Sequence, residues 1–199
     1  MIIQGEPGKG RVFLAHGAGA GMESDFLQDV AQRLVIAGFQ VVRFNFPYME
    51  RICLEGKQRP PDRLPKLIEH YKQLVEQFDD GVPAWLAGKS MGGRVATHCL
   101  DLAGVQGALV FGYPFHPAGK PEKLRIDHLG VIDKPVLIFQ GTRDKLGSYQ
   151  EVLEYALPSS VHLCWAEDGD HDLKPRKSSG FVQSQHLDAA VASIEEFIR

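Results

Sequence analysis

Ala84-Trp85-Leu86-Ala87-Gly88-Lys89-Ser90-Met91-Gly92-Gly93-Arg94 is a run of apolar residues that ends in a glycine-flanked serine. Beyond it the apolar spacing changes, and Met91, Val95, Cys99 and Leu100 recur as on one helix face. The pattern predicts a strand that turns sharply into a helix at Ser90. The G-x-S-x-G spacing of residues 88–92 fits a nucleophile elbow, a turn that holds the serine in a strained conformation with its hydroxyl exposed. Glycines at 88 and 92 remove side chains that would collide across so tight a turn. The Met91 amide would then face the place where an oxyanion forms.

Two rivals for this stretch fail on residue identity and geometry. A phosphate-binding loop, G-x-x-x-x-G-K-[ST], would need glycine at position 83, which is Pro83, and its loop would fall on residues that read as strand. A serine–lysine dyad would need Lys89 to face Ser90, but neighbours on a sharp turn project to different sides.

Working outward, Arg11–Ala15 reads as a buried strand ending in His16-Gly17-Ala18-Gly19-Ala20-Gly21. Ser24 can cap a helix through Phe26, Leu27, Val30, Leu34 and Val35 that stops at Gly38, and residues 39–44 form the next strand. This βαβ order predicts a parallel sheet. A dinucleotide fingerprint, G-x-G-x-x-G, is broken at Met22 or Ser24, so no cofactor is expected there. The loop instead suits an oxyanion-binding role through the Ala18 amide, with His16 structural. Residues 46–62 read as an irregular, proline-rich segment. Phe46 and Tyr48 there, with Tyr113 further on, are the candidate substrate-binding residues. Arg51, Lys57, Arg59 and Arg63 either meet an anionic group or form a solvated surface.

An amphipathic helix follows through Leu64–Phe78, and strands are expected at 105–111, 136–140 and 161–165. The last two run into Gly141-Thr142-Arg143-Asp144 and Asp168-Gly169-Asp170-His171-Asp172. A short helix around Tyr149–Ala156 and a C-terminal helix through Leu187, Ala190, Val191, Ile194 and Phe197 complete the pattern.

The chain of 199 residues is long enough for one domain, 1–199, with a substantial core. Its net charge of −3 gives no basic footprint for nucleic acid. Cys53, Cys99 and Cys164 are scattered and odd in number, which fits reduced thiols in a cytoplasmic protein, with Cys99 in the core. No basic leader or run of membrane-spanning length is present, so no membrane partner is expected. The acidic cluster around His171 has no second histidine at ligand spacing, so no metal is expected.

In an open parallel sheet, ligands bind beyond the carboxyl ends of the strands. Four loops at that edge carry His16–Gly19, Ser90, Asp144 and His171. Serine, acid and histidine occur in that chain order, with room between them for further αβ units, so each sits on a separate strand end. Asp168, Asp170 and Asp172 share the histidine's own loop and are poorly placed to reach its far ring nitrogen. His116 follows an earlier strand.

With these phrases, and with Arg43-Phe44-Asn45-Phe46-Pro47-Tyr48, the chain resembles the α/β-hydrolase superfamily over nearly its full length. More narrowly it resembles small capless bacterial hydrolases of the dienelactone-hydrolase-like group and relatives of non-specific-lethal complex subunit 3 and testis-expressed protein. The resemblance implies an α/β-hydrolase fold: a mostly parallel sheet of about six or seven strands, helices on both faces and no cap domain. It implies Ser90 as nucleophile, His171 as base and Asp144 as the orienting acid, with the backbone of Ala18 and Met91 as oxyanion hole. The expected function is a carboxylesterase-like serine hydrolase acting on a small-molecule acyl substrate, without a cofactor. The alternative is a catalytically silent hydrolase-like binding or scaffold module with a protein partner.

Overall fold

A computed structural model describes residues 1–198. Seven strands form one sheet: β1 (Ile2–Gln4), β2 (Arg11–Ala15), β3 (Gln40–Phe44), β4 (Ala84–Lys89), β5 (Val105–Phe111), β6 (Val136–Gly141) and β7 (Val161–Ala166). Their spatial order is β1-β3-β2-β4-β5-β6-β7, with β1 antiparallel to β3 and all other pairs parallel. The central strands β2, β4 and β6 are buried from end to end. This is the pattern of strands covered on both faces.

Side-chain alternation along each strand divides the core in two. Val12, Leu14, Trp85, Ala87, Leu109 and Phe111 face helices α1 (Asp25–Ile36) and α6 (Gln183–Phe197). Phe13, Ala15, Leu86, Ala108 and Val110 face the other way, against α3 (Leu64–Glu76) and α4 (Met91–Thr97). Tyr71 on α3 shows how closely these layers are tied. Its hydroxyl donates to Phe13 O at 2.7 Å and accepts from Ala87 N–H at 3.1 Å, stitching the helix to two adjacent strands.

The segment expected to be irregular contains a helix, α2 (Pro47–Glu55), a correction to the sequence reading. Pro47 occupies the first turn, where its fixed φ favours a helix and its missing N–H costs nothing. Gly56 ends the helix in the left-handed conformation, φ +67°, with its amide on Ile52 O. A short helix α5 (Tyr149–Leu153) precedes β7. Helix α4 ends at Thr97, so Cys99 and Leu100 pack in the core beyond it. Among the described residues no helix is long and apolar enough to cross a membrane.

Candidate active site

Three crossings bring the singled-out side chains to the carboxyl edge of the sheet. Ser90 sits between β4 and α4 at φ 52°, ψ −115°, a conformation that costs a non-glycine residue of order 1–3 kcal/mol. Its amide donates to Phe111 O at 3.0 Å. The turn can close only because Gly88 and Gly92 lie against each other; a Cβ on Gly88 would overlap the Gly92 backbone, and one on Gly92 would stand 2.5 Å from His16 O. These glycines therefore seat the turn against the loop that follows β2.

Asp144 follows β6 and is fully buried. Its loop is laced to the one after β7: Thr142 N–H donates to Ala166 O, Arg143 N–H to Gly169 O, and Asp168 N–H to Thr142 Oγ1. The lacing sets His171 Nδ1 2.7 Å from Asp144 Oδ2 and His171 Nε2 2.7 Å from Ser90 Oγ. A carboxylate only accepts, so Nδ1 carries the proton, and the Nε2 lone pair faces the serine hydroxyl. The Asp144 carboxylate is itself held by the Leu146 N–H and by Gln140 Nε2, at 2.8 and 2.9 Å.

Two of these supporting groups were not singled out from the sequence. Gln140, fully buried at the end of β6, also accepts from Tyr113 N–H and donates to Gly147 O. Its only sequence signal is an amide inside an apolar strand. Lys89 turns away from Ser90, as the turn geometry demands, and donates from Nζ to His171 O at 2.7 Å while pairing with Asp172 Oδ1 at 3.0 Å. Burial lowers the Lys89 pKa, against the opposing pull of Asp172.

The other acids near His171 shape their loop. Asp168 pairs with Arg143 and Arg176, which hold it down to about 2, and Asp170 Oδ1 accepts the amides of Asp172 and Lys174. Among the described residues no group of three metal-ligating side chains occurs. His116 lies apart, with Nδ1 on Pro117 O.

The loop after β2 lies alongside. A Cβ on Gly17 would lie 3.6 Å from Lys89 O and 3.8 Å from Ser90 Cβ, so the loop runs close beside the serine turn. His16 is fully buried: Nδ1 donates to Gly17 O at 2.6 Å and Nε2 accepts from Phe46 N–H at 3.0 Å. The Tyr48 hydroxyl lies 2.9 Å from Ala18 O and 3.2 Å from Gly17 O. The Gly17–Ala18 peptide thus turns its carbonyl inward. Because a trans peptide directs its N–H opposite to its C=O, the Ala18 amide points away from Tyr48. The Ala18 and Met91 amides engage no acceptor among the described residues.

A cleft of about 600 Å³ opens here, lined by Ser90, His171, Ala18, Lys89, Phe26 and Leu187 among others. Phe46, Tyr48 and Tyr113 do not line it, which corrects their assignment as substrate-binding residues. All three are fully buried. Phe46 and Tyr48 brace the loop after β2, and Tyr113 donates to Arg125 O at 2.8 Å. The basic residues of 46–63 are not in the cleft lining; Arg51 pairs with Asp62 and Arg59 with Glu55.

A central sheet crossed in this order, with a strained serine at the end of β4 and an acid and a histidine on later strand ends, defines the α/β hydrolase class. Residues 8–199 match the alpha/beta hydrolase domain family, and the chain belongs to it. Solved structures similar to it include an alpha-beta serine hydrolase homologue from Coxiella burnetii (16% identity, TM-score 0.66, covering 98% of this chain and 84% of that one). A serine hydrolase without a lid from Xanthomonas campestris is similar at 20% identity and TM-score 0.69, over 94% of this chain and 81% of that one. A dienelactone hydrolase from Anabaena variabilis is similar at 20% identity and TM-score 0.70, over 96% and 87%. Among curated proteins, the putative lipase ATG15 of Eremothecium gossypii is 32% identical over 125 residues, which cover 57% of this chain and 22% of that protein. The matched region is thus about a fifth of that relative's length.

Proposed function

We propose that the protein is a serine hydrolase that cleaves a small ester or related acyl substrate through an acyl-enzyme intermediate. The observation that carries this reading is the unbroken relay Ser90 Oγ–His171 Nε2 and His171 Nδ1–Asp144 Oδ2, with both links at 2.7 Å. A serine hydroxyl is a weak nucleophile until a base removes its proton. In the proposed reaction Ser90 Oγ attacks the acyl carbon as its proton passes to His171 Nε2. Asp144 holds the imidazole in the required tautomer and stabilises the imidazolium. Ala18 and Met91 supply amides to the tetrahedral oxyanion, and loss of one such donor typically costs on the order of 10²–10³ in rate. The C–O bond to the leaving group breaks as the imidazolium returns its proton to that oxygen. Water, deprotonated by His171, then attacks the acyl carbon and releases the acid and Ser90.

A fluorophosphonate probe tests this directly. Wild type should label at one site and S90A should not label. Failure of folded wild type to label, beside a control esterase that reacts, would overturn the hydrolytic reading and leave a binding role for the fold.

A further inference from the structure

On the α4 side of Ser90 lies a cluster that the reaction does not use. The Arg94 amide donates to Ser90 O at 3.0 Å, so Arg94 stands one turn into the helix, about 6 Å further along its axis. The next turn carries Thr97 and His98. The 113–131 segment packs over them and brings Arg125 and His128. The His98 and His128 rings stack with centroids 3.6 Å apart and planes 16° from parallel. Thr97 Oγ1 donates to Arg94 O at 2.8 Å and lies 2.9 Å from His128 Nε2. Tyr113, buried beneath, ties Arg125 to this group through its carbonyl. Arg94, His98, Arg125 and His128 are each half-buried, so the cluster reaches the surface.

Its charge is unbalanced. Arg11, Arg51 and Arg176 each pair with a carboxylate, yet among the described residues no carboxylate pairs with Arg94 or Arg125. Arg94 Nε and His98 Nε2 are buried without a hydrogen-bond partner, a state that disfavours the cluster as it stands. Burial, reinforced by Arg94, presses His98 down to about 4; burial, His98 and Arg94 together press His128 to about 3. Burial and then Arg94 lower Arg125 as well. Tyr113 is the remaining titratable group facing them. Two guanidiniums beside two imidazoles repel a metal cation. They lack an acceptor with negative charge, and a planar guanidinium matches carboxylate or phosphate oxygens in geometry.

We propose that Arg94, His98, Arg125 and His128 form a binding site for a carboxylate or phosphate group, one helical turn from Ser90, and that the group belongs to the substrate. The second half rests on the serine-hydrolase reading; the first does not. An anion seated there accepts from the Arg94 and Arg125 guanidiniums, which no carboxylate pairs among the described residues, and makes protonation of both imidazoles easier.

The test has two arms. In the first, inorganic phosphate is titrated into S90A while the His98 and His128 ring protons are followed by NMR. Millimolar phosphate should shift both signals and raise both apparent pKa values, and R94M and R125M should each abolish the response. Two folded variants guard against one that fails to fold. In the second arm, kcat/KM is compared for the p-nitrophenyl monoester of glutaric acid and for its neutral counterpart, p-nitrophenyl valerate. Wild type should prefer the anionic ester by on the order of tenfold or more, the strength of a charge-assisted contact. The ratio on one enzyme should fall toward unity in R94M, independent of how much of the variant is folded.

A phosphate response without ester preference would keep the site, assign it to a free anion and overturn its substrate role. No response of either histidine, with no preference between the esters, would overturn the proposal entirely. Absence of turnover on both esters, with no fluorophosphonate labelling, would instead defeat the hydrolase reading while the phosphate arm still reads the site.

Discussion

The loops after β2 and after β7 each place a histidine at the carboxyl edge of the same sheet, and they use it in opposite ways. His16 is sealed between Phe46 and Tyr48, with one ring nitrogen giving to a backbone carbonyl and the other taking from a backbone amide. Burial presses it down to about 4. His171 keeps 28% of its side chain exposed, and both of its nitrogens face side chains, a carboxylate and a hydroxyl. Backbone amides and carbonyls do not ionise at neutral pH, so the first imidazole has no group to take a proton from or give one to and can only hold a shape. The second stands between two groups across which a proton can move. Partner chemistry, more than position on the sheet, separates the two roles.

Substitution at the two histidines should break this comparison if it is wrong. H171Q should lower kcat/KM on a short p-nitrophenyl ester by about 10⁴-fold or more while leaving the melting temperature nearly unchanged. D144N should cost a similar factor, because the amide can favour the wrong imidazole tautomer. H16Q should cost about 10²-fold, the loss expected when one oxyanion donor is misplaced, and it should lower the melting temperature as well. Kinetics and thermal melts on the same preparations decide the matter; an H16Q enzyme slower than H171Q would reverse the assignment.

The parts of this site that could be read from sequence are those written locally. The change from strand to helix period at Ser90, with Gly88 and Gly92 around it, determines the turn without reference to anything distant. The strand-helix alternation that predicts a parallel sheet, and the Ser90, Asp144, His171 chain order, followed from the same local patterns, whereas the spatial order of the strands and the antiparallel β1 did not. Helix α2 was missed because prolines and charges at 47–63 outweighed a weak apolar face, although Pro47 and Gly56 bracket it as start and stop signals. Phe46, Tyr48 and Tyr113 were misplaced because an aromatic at a strand end can turn toward solvent or core, and only the surrounding layers decide. Lys89 and the stack of His98 on His128 depend on segments far apart in the chain, and no local pattern marks their roles; Gln140 is marked only by its amide inside an apolar strand.

Lys89 sharpens the comparison from the other side. Its ammonium holds the His171 carbonyl, whereas the His16 loop is held by a ring and a phenol. Removing it should loosen the imidazole without removing any reacting atom. K89M should lower kcat by about tenfold with KM little changed, a modest loss of the kind that follows misplacement of reacting groups. K89R should recover part of that loss. An unchanged kcat in K89M would mean that the lacing between the β6 and β7 loops suffices to hold His171.

The smallest expected effect is in stability and belongs to His16 alone. Its folded-state pKa lies near 4 against an ordinary value of 6.5, so the unfolded chain takes up the proton first as pH falls. The contribution of the neutral ring is therefore fully present above pH 6.5 and is lost as pH falls from 6.5 toward 4. Between pH 7 and pH 5.5 this should remove about 1 kcal/mol of unfolding free energy, since one pKa unit corresponds to about 1.4 kcal/mol. Urea denaturation of wild type and H16Q at the two pH values isolates the term, because His70, His98 and His128, which burial also lowers, are present in both proteins. If the wild-type loss exceeds the H16Q loss by that amount, His16 is buried neutral as a structural brace. Equal losses would mean that its ring takes up protons in the folded state as readily as in the unfolded chain, and the contrast with His171 would fail.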